Sequence, residues 1–343
     1  MKKILAALLL ALISCFVFAQ DEGLDQASSV GEKGAEENSS KKSRHNWSIT
    51  VDFAYYTKSD PMAANGERYA RITGPYDGPL FGVTGSYDYT IPLAGESALT
   101  KDNNLKLCAD FQISPATLKP HAFVSYSPIA FLVFNAGVTL GTGWECLGNQ
   151  GLASYNAARG KYDNLTPFKN FFYEFDVSAT FQFDAAALWP GDWHHIVFMA
   201  AYDFRFSGMT SVADGNPWIW AADFPKVNGA NYYANIILGY QMPKKVSLVG
   251  VQAEFEGFYS DFQIDARYRN YDIDFCRINI SPLVVFSLTK NDSLFALLYF
   301  ERRRGYDSAK GIVNGREQSE VEMNCSGGEW YFRRIAVRYI HKF

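Results

Sequence analysis

Few residues in this 343-residue chain combine the types and the spacing that catalysis needs. His121 and Ser125 lie four residues apart, which is about 13 Å along an extended strand and too far for proton transfer. His194 and His195 are adjacent, so their side chains point to opposite faces of a strand, and no nucleophile stands at a matching spacing. These histidines therefore predict no nucleophilic site.

Aspartates and glycines give no stronger sign of an enzyme. Asp272 and Asp274 form the nearest aspartate pair, but no histidine lies close to them in the sequence. The chain has no glycine-rich phosphate loop and no clustered histidines of the kind that bind metals. We therefore predict no enzyme activity, no cofactor and no metal. An enzyme stays open as a weaker alternative, because side chains distant in the sequence can converge in the fold.

The elements that must position these side chains are strands, and the last stretch, Glu329–Phe343, shows the pattern best. One parity holds Tyr331, Arg333, Ile335, Val337, Tyr339, His341 and Phe343, and the other holds Phe332, Arg334, Ala336, Arg338, Ile340 and Lys342. Successive side chains of a strand point to opposite faces, so the stretch predicts a strand with a mainly apolar face and a basic face.

A chain that ends on such a strand, with an aromatic residue last, resembles the bacterial outer-membrane β-barrel proteins. The resemblance implies an all-β fold, a closed antiparallel transmembrane β-barrel in the cell outer membrane, surrounded by outer-membrane lipid. It also implies that the barrel-assembly machinery reads the last strand, which ends in Phe343. That strand is then expected to pair with the first one, Trp47–Tyr56.

Alternation of apolar and polar residues returns throughout residues 47–343 and predicts about twelve strands, an even number as such barrels usually have. Phe171–Asp184 is the clearest strand. The alternation is weaker over Asp272–Leu288, where Pro282 predicts a bulge or a strand end. The composition agrees, because 16% of residues are aromatic and strands and membrane interfaces both favour such residues.

The connections between these strands alternate in length. The predicted outer connections are mostly long and polar, and include Thr57–Gly78, Gly143–Asn170, Ser207–Gly229, Ser260–Tyr271 and Gly305–Gly328, with Ser114–Thr117 the short exception. The predicted inner turns include Ser127–Pro128, Met242–Lys245 and Thr289–Asp292, with Leu93–Asn103 and Ala185–Trp193 longer. Long extracellular loops and mostly short periplasmic turns are typical of outer-membrane barrels.

Residues 1–46 precede the predicted barrel. Lys2 and Lys3 followed by an apolar run indicate a signal peptide over residues 1–19, although lipidation of Cys15 is an alternative. Residues 20–46 are polar and predict a flexible periplasmic arm. Of the five cysteines, Cys146 and Cys325 fall in predicted loops and could form a disulfide.

The face opposite the apolar one is predicted to line the lumen. It holds Asp88, Lys106, Asp110, Gln112, His121, Glu174, Asp176, Gln182, Asp203, Arg205, Glu254, Glu256, Arg303, Arg334, Arg338 and Lys342. These charges predict either a polar channel for a small polar or charged solute or an interior joined by ion pairs. Arg334, Arg338 and Lys342 are expected to face acids such as Glu174 and Asp176.

Other polar and aromatic residues fall in the predicted outer end. Arg302–Arg304 and Arg333–Arg334 predict a solvated charge run, with anionic lipid or an anionic solute as an alternative partner. Trp218 and Trp220 lie in a long outer loop and are expected to pack on the barrel rim, although they could bind sugar or plug the pore.

The preferred interpretation is a porin-like channel, because both signs of charge line the predicted lumen. A structural or adhesive barrel with ligand-binding surface loops is the alternative, and a lipid-modifying enzyme at the rim is the weaker one. The net charge of -4 argues against a nucleic-acid partner.

Overall fold

The computed structural model describes residues 43–59, 68–93, 95, 97, 99–100, 103–146, 149–156, 159, 161–221, 223, 225–259, 275–306, 312–313, 316–317 and 325–343. The predicted signal peptide and most of the predicted arm lie outside these residues. The first strand begins at His45, so the barrel starts two residues before the predicted boundary at Trp47. Among the described residues, no helix has the length and apolar character to cross a membrane.

Twelve long strands make up most of the described chain. They are His45–Lys58 (β1), Gly74–Pro92 (β2), Asn104–Ile113 (β3), Thr117–Ile129 (β4), Leu132–Gly143 (β5), Phe172–Asp184 (β6), His195–Met209 (β7), Gly229–Gln241 (β8), Val246–Phe258 (β9), Arg277–Ser287 (β10), Asp292–Tyr306 (β11) and Cys325–Lys342 (β12). Short strands stand at Arg68–Tyr69, Glu145–Cys146, Asn149–Gln150, Leu152–Asn156, Lys161–Asn164, Trp218–Trp220, Ile312–Val313 and Arg316–Glu317, and Ala185–Ala187 forms one 3₁₀ turn.

Each long strand pairs antiparallel with the next one along the chain, and β1 pairs with β12 to close the sheet. The closing register runs from Ser48 opposite Lys342 to Tyr56 opposite Arg334. Closure leaves no long barrel strand with an unpaired edge, which a span through lipid requires. The predicted closed antiparallel barrel of about twelve strands, and the predicted pairing of its last strand with its first, are confirmed.

Side chains alternate between the two sides of this sheet as the sequence pattern predicts. The outward positions carry large exposed apolar residues, for example Phe53, Phe111, Phe175 and Leu238. Aromatic contacts gather at both ends of the barrel: Trp47 lies 4.4 Å from Tyr87 at the periplasmic end, and Tyr232 lies 5.4 Å from Tyr259 at the outer end, measured between ring centroids. An apolar exterior between aromatic girdles is the surface that a bilayer requires.

The connections also follow the predicted parity. Residues 144–171 and 210–228 form long outer connections, whereas residues 242–245 and 288–291 form tight periplasmic turns. One prediction was wrong: β4 continues through Ser127–Pro128 to Ile129, and the turn lies at residues 130–131. Cys146, in an outer connection, carries a free thiol, so the disulfide considered with Cys325 is not formed.

Pro282 does not end a strand. It lies inside β10 opposite Val251, and β10 pairs with β11 in the same register on both sides of it, Ile280 opposite Phe300 and Leu283 opposite Leu297. The predicted bulge or strand end is therefore wrong, and the strand tolerates the missing N–H because the flanking pairs keep the two strands aligned.

The bulge lies instead in β12, at Arg333. Tyr299 of β11 pairs with Arg334, and the next residue, Phe300, pairs with Phe332, so Arg333 is the extra residue of the bulge. A bulge inserts one residue and shifts the alternation beyond it. Tyr331, which the simple alternation placed outside, is therefore buried, and so is Arg333 itself.

Candidate functional site

The inside of the barrel is divided into two parts. Inward side chains of β7–β12 and of the middle of β1 are mostly buried, and we call this part the packed half. Inward side chains of β2–β5 and the periplasmic two thirds of β6 are mostly only partly buried, and we call this part the polar wall. Because a twelve-stranded barrel has a narrow lumen, packing one half confines accessible space to the other.

An apolar layer fills the periplasmic end of the packed half. Its inward side chains are Val197, Met199, Ile237, Leu248, Leu283, Val285, Phe295, Leu297 and Ile340. The prediction of an inward face of polar residues is wrong for this layer. In β11 both faces are apolar, so the alternation identified the outward face but concealed an apolar face on the inside.

Ion pairs occupy the middle of the packed half. Arg338 donates to Asp52 with Nε–Oδ1 at 2.5 Å and Nη2–Oδ2 at 3.1 Å. Arg205 donates to Asp203 on its own strand at 2.8 Å. Arg334 donates to the Tyr56 hydroxyl at 2.5 Å, and its guanidinium lies 4.3 Å from the ring centroid of Tyr299. 

Within the basic stripe on β12, Arg338 lies directly opposite Asp52 across the closing seam and pairs with this acid, which was not among the expected partners. Lys342, the last residue of the stripe, is half-buried at the periplasmic end. The sequence analysis did not identify Asp52 as a lumen residue. Alignment of β1 with β12, the two strands predicted to close the barrel, places Asp52 opposite Arg338.

A second ionic cluster ties an outer loop to the inside of the barrel, and we call it the outer latch. It consists of Asp223 and Lys226 from the loop, with Glu256, Arg277 and Arg333 from β9, β10 and β12. Asp223 Oδ1 lies 3.3 Å from Arg277 Nη1 and 3.4 Å from Arg333 Nη2. Lys226 and Arg277 both donate to Glu256, at 2.6 and 2.7 Å. The loop thereby bridges three strands.

The arginines of the predicted outer charge run are not a solvated patch. Arg303 is buried and donates to Glu329 at 2.6 Å, and Arg333 is buried and donates to Glu301 at 2.5 Å. Arg302 stands over the ring of Phe275, 4.5 Å from its centroid. Sequence reasoning missed Glu301, although it shares the inward parity of Arg303 on β11, and it missed Glu329 because the inward placement of that residue depends on the bulge at Arg333.

Two outer connections fold over the mouth and form what we call the outer cap. Its sheet is made of Leu152–Asn156, Lys161–Asn164 and Trp218–Trp220. Trp220 stacks on Phe172 with ring centroids 4.9 Å apart, and a Cβ on Gly141 of β5 would stand 2.4 Å from the Trp220 ring. Trp220 therefore lies against the inner surface of β5.

Both cap tryptophans are buried. Trp218 has no exposed surface, and its Nε1 donates to Asn228 Oδ1 at 2.9 Å. Their indole rings therefore pack against the barrel and present no free face to a sugar. Hydrogen bonds from two backbone N–H groups hold the other side of the cap to the barrel. Trp144 N donates to Ala116 O at 2.8 Å, and Phe168 N donates to Thr142 Oγ1 at 2.8 Å.

The polar wall carries most of the charged residues that remain partly exposed inside the barrel. Its predicted members Asp88, Lys106, Asp110, Gln112, His121, Asp176 and Gln182 all stand at inward positions of β2–β6. Glu174 lies on the same wall nearer the outer end and is buried. Asp88 accepts from Asn46 Nδ2 at 2.7 Å and from Thr90 Oγ1 at 3.1 Å.

A cluster at the middle of this wall contains His121, Asp110 and Asp176. His121 Nδ1 lies 3.7 Å from Asp110 Oδ2, and Nε2 lies 3.5 Å from Asp176 Oδ1. The side chains are 21%, 29% and 18% exposed, respectively, so solvent reaches all three. His121 stacks on Phe123 with centroids 4.8 Å apart. Gly137 leaves the space, since a Cβ there would stand 2.6 Å from His121 Nε2.

This cluster has limited chemistry of its own. The two carboxylates approach opposite nitrogens of one imidazole, so they do not converge on a single point where a metal would sit. Among the described residues, no group of three histidine, cysteine or acidic side chains is arranged to hold a metal ion. Within the described contacts, the two nitrogens of His121 each face a carboxylate. Asp272 and Asp274 lie outside the described residues.

The remaining predicted lumen residues belong to the packed half. Glu254 accepts from the Tyr233 hydroxyl at 2.5 Å, and Glu256 belongs to the outer latch. Arg205 also lies 4.5 Å from the ring centroid of Tyr233. The sequence therefore located these residues on the inward face, but did not separate those that are packed from those that solvent reaches.

The fold is similar to several solved outer-membrane barrels. The β domain of the Bordetella autotransporter Brka has 9% identity and a TM-score of 0.41, over 87% of this chain and 99% of that chain. The KdgM porin has 10% identity and a TM-score of 0.34, over 86% and 99%. The translocator domain of the autotransporter NalP from Neisseria meningitidis has 8% identity and a TM-score of 0.36, over 93% and 95%.

These likenesses are too distant to carry an argument about function. No protein-family model and no curated protein matches the sequence. The assignment to a membrane comes from the molecule itself: a closed barrel, an apolar exterior, aromatic contacts at both ends and the longest described loops at the outer end. The chain is an outer-membrane β-barrel, and its place is the cell outer membrane.

Proposed function

We propose that this outer-membrane barrel is a porin-like channel that passes small polar or charged solutes along its polar wall. The observation that supports this most directly is the contrast between the two halves of the interior. The inward side chains of the packed half are mostly buried, whereas His121, Asp110 and Asp176 on the polar wall keep about a fifth to a third of their side-chain surface exposed. A polar, solvent-reached path through a barrel is what a channel needs.

The size of the path limits the solute. Twelve strands enclose a narrow lumen, and the packed half removes part of it. We therefore expect passage of ions and small hydrophilic molecules and exclusion of folded proteins. Charged groups of both signs along the wall, such as Lys106 and Asp110, suit a solute that carries charge or several hydrogen-bonding groups.

The outer cap accounts for regulation of this path. Trp220 and the loop residues around it cover the outer end of β5 and β6, where Thr139, Thr142 and Glu174 are buried. The path along the polar wall is therefore narrowest at its outer end. Conduction requires the cap to move or to leave a small gap, and we expect openings that are brief and infrequent.

A structural or adhesive barrel is the second candidate, and the order of the cap favours it. Leu152–Asn156, Lys161–Asn164 and Trp218–Trp220 form a sheet outside the membrane, which is a suitable surface for a partner. In that case the lumen stays shut and the outer loops carry the function. Export through a signal peptide over residues 1–19, and recognition of the strand ending in Phe343 by the barrel-assembly machinery, belong to both proposals.

Conductance in a planar lipid bilayer tests the channel. The full chain is compared with a variant in which residues 145–169 and 211–227 are each replaced by a short glycine–serine linker. We expect rare small openings for the full chain and a larger, steady conductance for the shortened variant, with matching results in liposome swelling. Heat-modifiable mobility on gels shows that both proteins are folded. A folded, shortened barrel that conducts nothing would overturn the channel and favour the structural barrel.

A further inference from the structure

The charges inside this barrel are not distributed evenly between its halves. In the packed half, bases lie beside acids: Arg338 beside Asp52 at 2.5 Å, and Arg303 beside Glu329 at 2.6 Å. Charges that are paired this closely produce little field at a distance. A solute that moves along the polar wall therefore experiences mainly the charges of that wall.

At the middle of the polar wall the acids outnumber the bases. Asp110, His121, Thr139 and Glu174 are consecutive cross-strand neighbours on β3–β6, and Asp176 follows two residues after Glu174. Asp110 and Asp176 thus flank one imidazole, and Glu174 lies one strand beyond Thr139. The bases at this level are His121 itself and Lys119, two residues away on the same face of β4, while Lys106 lies four residues from Asp110 on β3.

Two of these carboxylates are accessible to a passing solute. Asp110 and Asp176 flank His121 at 3.7 and 3.5 Å, and both retain exposed oxygen-bearing surface. Gly137 opposite Asp176 lets the imidazole lie against the carboxylate, because any larger residue would displace it. His121 therefore holds the two carboxylates on one level of the wall. Rings of acidic side chains at a constriction are the usual basis for cation preference.

We infer that Asp110, His121 and Asp176 form the selectivity site of the channel and make it prefer cations. The inference rests on the proposed channel function and adds the class of solute, which is a small cation or a molecule with a positively charged group. Asp110 and Asp176 attract the cation. His121 positions them and limits the strength of the attraction through its own charge.

The experiment measures the reversal potential in a potassium chloride gradient across a planar bilayer, with the shortened-cap barrel described above as the parent. The parent is expected to pass potassium in preference to chloride. In the Asp110→Asn/Asp176→Asn variant we expect the cation-to-anion permeability ratio to fall on the order of three-fold or more, with conductance retained, because two charges are removed and the shapes kept.

Asp214→Asn is the matched control, since it removes one carboxylate from an exposed position of the outer loop. In the shortened-cap parent residues 211–227 are absent, so this control is made in the full chain and compared there with the single variants Asp110→Asn and Asp176→Asn. We expect the control to keep the permeability ratio. The single variants also replace the double variant if the latter fails to fold.

The outcomes separate this inference from the proposed function. An unchanged ratio in folded, conducting Asp110→Asn and Asp176→Asn variants would overturn the selectivity site and leave the channel standing. A parent that prefers chloride would do the same. A folded parent that conducts no ions would overturn the channel and this inference together.

Discussion

Arg338 of β12 and Asp52 of β1 lie directly opposite each other where the last strand meets the first, and their side chains form a two-pronged ion pair inside the barrel. The Nε–Oδ1 distance is 2.5 Å and the Nη2–Oδ2 distance is 3.1 Å. Both residues are at most 3% exposed. The pair therefore joins the first and last strands of the barrel. Every other pair of neighbouring long strands is consecutive along the chain, so this junction alone must be made between distant parts of the chain.

Arg338→Ala should destabilise the closed barrel strongly. The substitution leaves the carboxylate of Asp52 buried without its cation, and breaking one side of a buried pair costs about 3–5 kcal/mol. The free energy of unfolding, measured by urea titration of the barrel in phospholipid vesicles, should fall by this amount.

The Asp184–His195 pair provides the control for the seam. It joins β6 and β7 at 2.6 Å, but its two side chains are about one third exposed. His195→Ala should therefore lower the free energy of unfolding by about 1 kcal/mol or less, because exposed pairs contribute little. Equal effects of the two substitutions would show that the seam pair has no special role in closure.

The seam also shows how far the sequence alone leads. Alternation predicted the strands and their outward faces, because both follow from a period of two, whereas the resemblance to outer-membrane barrels implied the partner of the last strand. It did not predict that Arg338 meets Asp52, since the choice of partner depends on the register between the strands. Once two strands are assumed to pair, trial alignment of their charged residues would narrow that register.

Other residues were assigned to the wrong side of the sheet for a different physical reason. The bulge at Arg333 left no periodic signal, so Tyr331 was placed outside although it is buried. Phe295 and Leu297 were not recognised as an inward apolar layer, because β11 is apolar on both faces and a period of two cannot then distinguish them. Inside and outside follow from the pattern only where one face is polar.

Asp223→Ala should loosen the outer latch. The substitution removes the carboxylate that lies between Arg277 and Arg333, and among the described contacts the ion pair of Lys226 with Glu256 then remains to hold the loop to the strands. We expect faster cleavage of the loop by an added protease and more frequent channel openings. Asp214→Ala in the same loop is the control, and it should leave both rates unchanged. Identical cleavage of the two variants would mean that the latch does not hold the loop.

Gly141→Val should displace the outer cap from its seat. A Cβ at this position would stand 2.4 Å from the Trp220 ring, which is closer than side-chain atoms approach, so the indole must move away. We expect Trp220 to become exposed, with a red-shifted fluorescence emission and a larger conductance. Trp218→Phe in both proteins reduces the background from the neighbouring indole.

Gly85→Val is the matched control for the cap. Gly85 faces outward from β2, and a Cβ there would meet no atom within 4 Å. The same change of side chain should therefore leave the tryptophan emission and the conductance as they are. If Gly141→Val behaves like this control, the cap does not rest against β5 in the membrane.

Phe343→Ala should reduce assembly of the barrel in cells without weakening the assembled barrel. The backbone N–H of Phe343 donates to Trp47 O at 3.0 Å, a bond that alanine keeps, whereas the ring is 72% exposed and packs mainly against His341. Loss of so exposed a ring removes little packing, so the free energy of unfolding should change by about 0.5 kcal/mol or less. The amount of heat-modifiable protein in the outer-membrane fraction should nevertheless fall several-fold.

Phe53→Ala, which removes an equally outward ring from the middle of β1, should leave that amount largely unchanged. Parallel losses of stability and of assembled protein in Phe343→Ala would instead assign the residue a structural role.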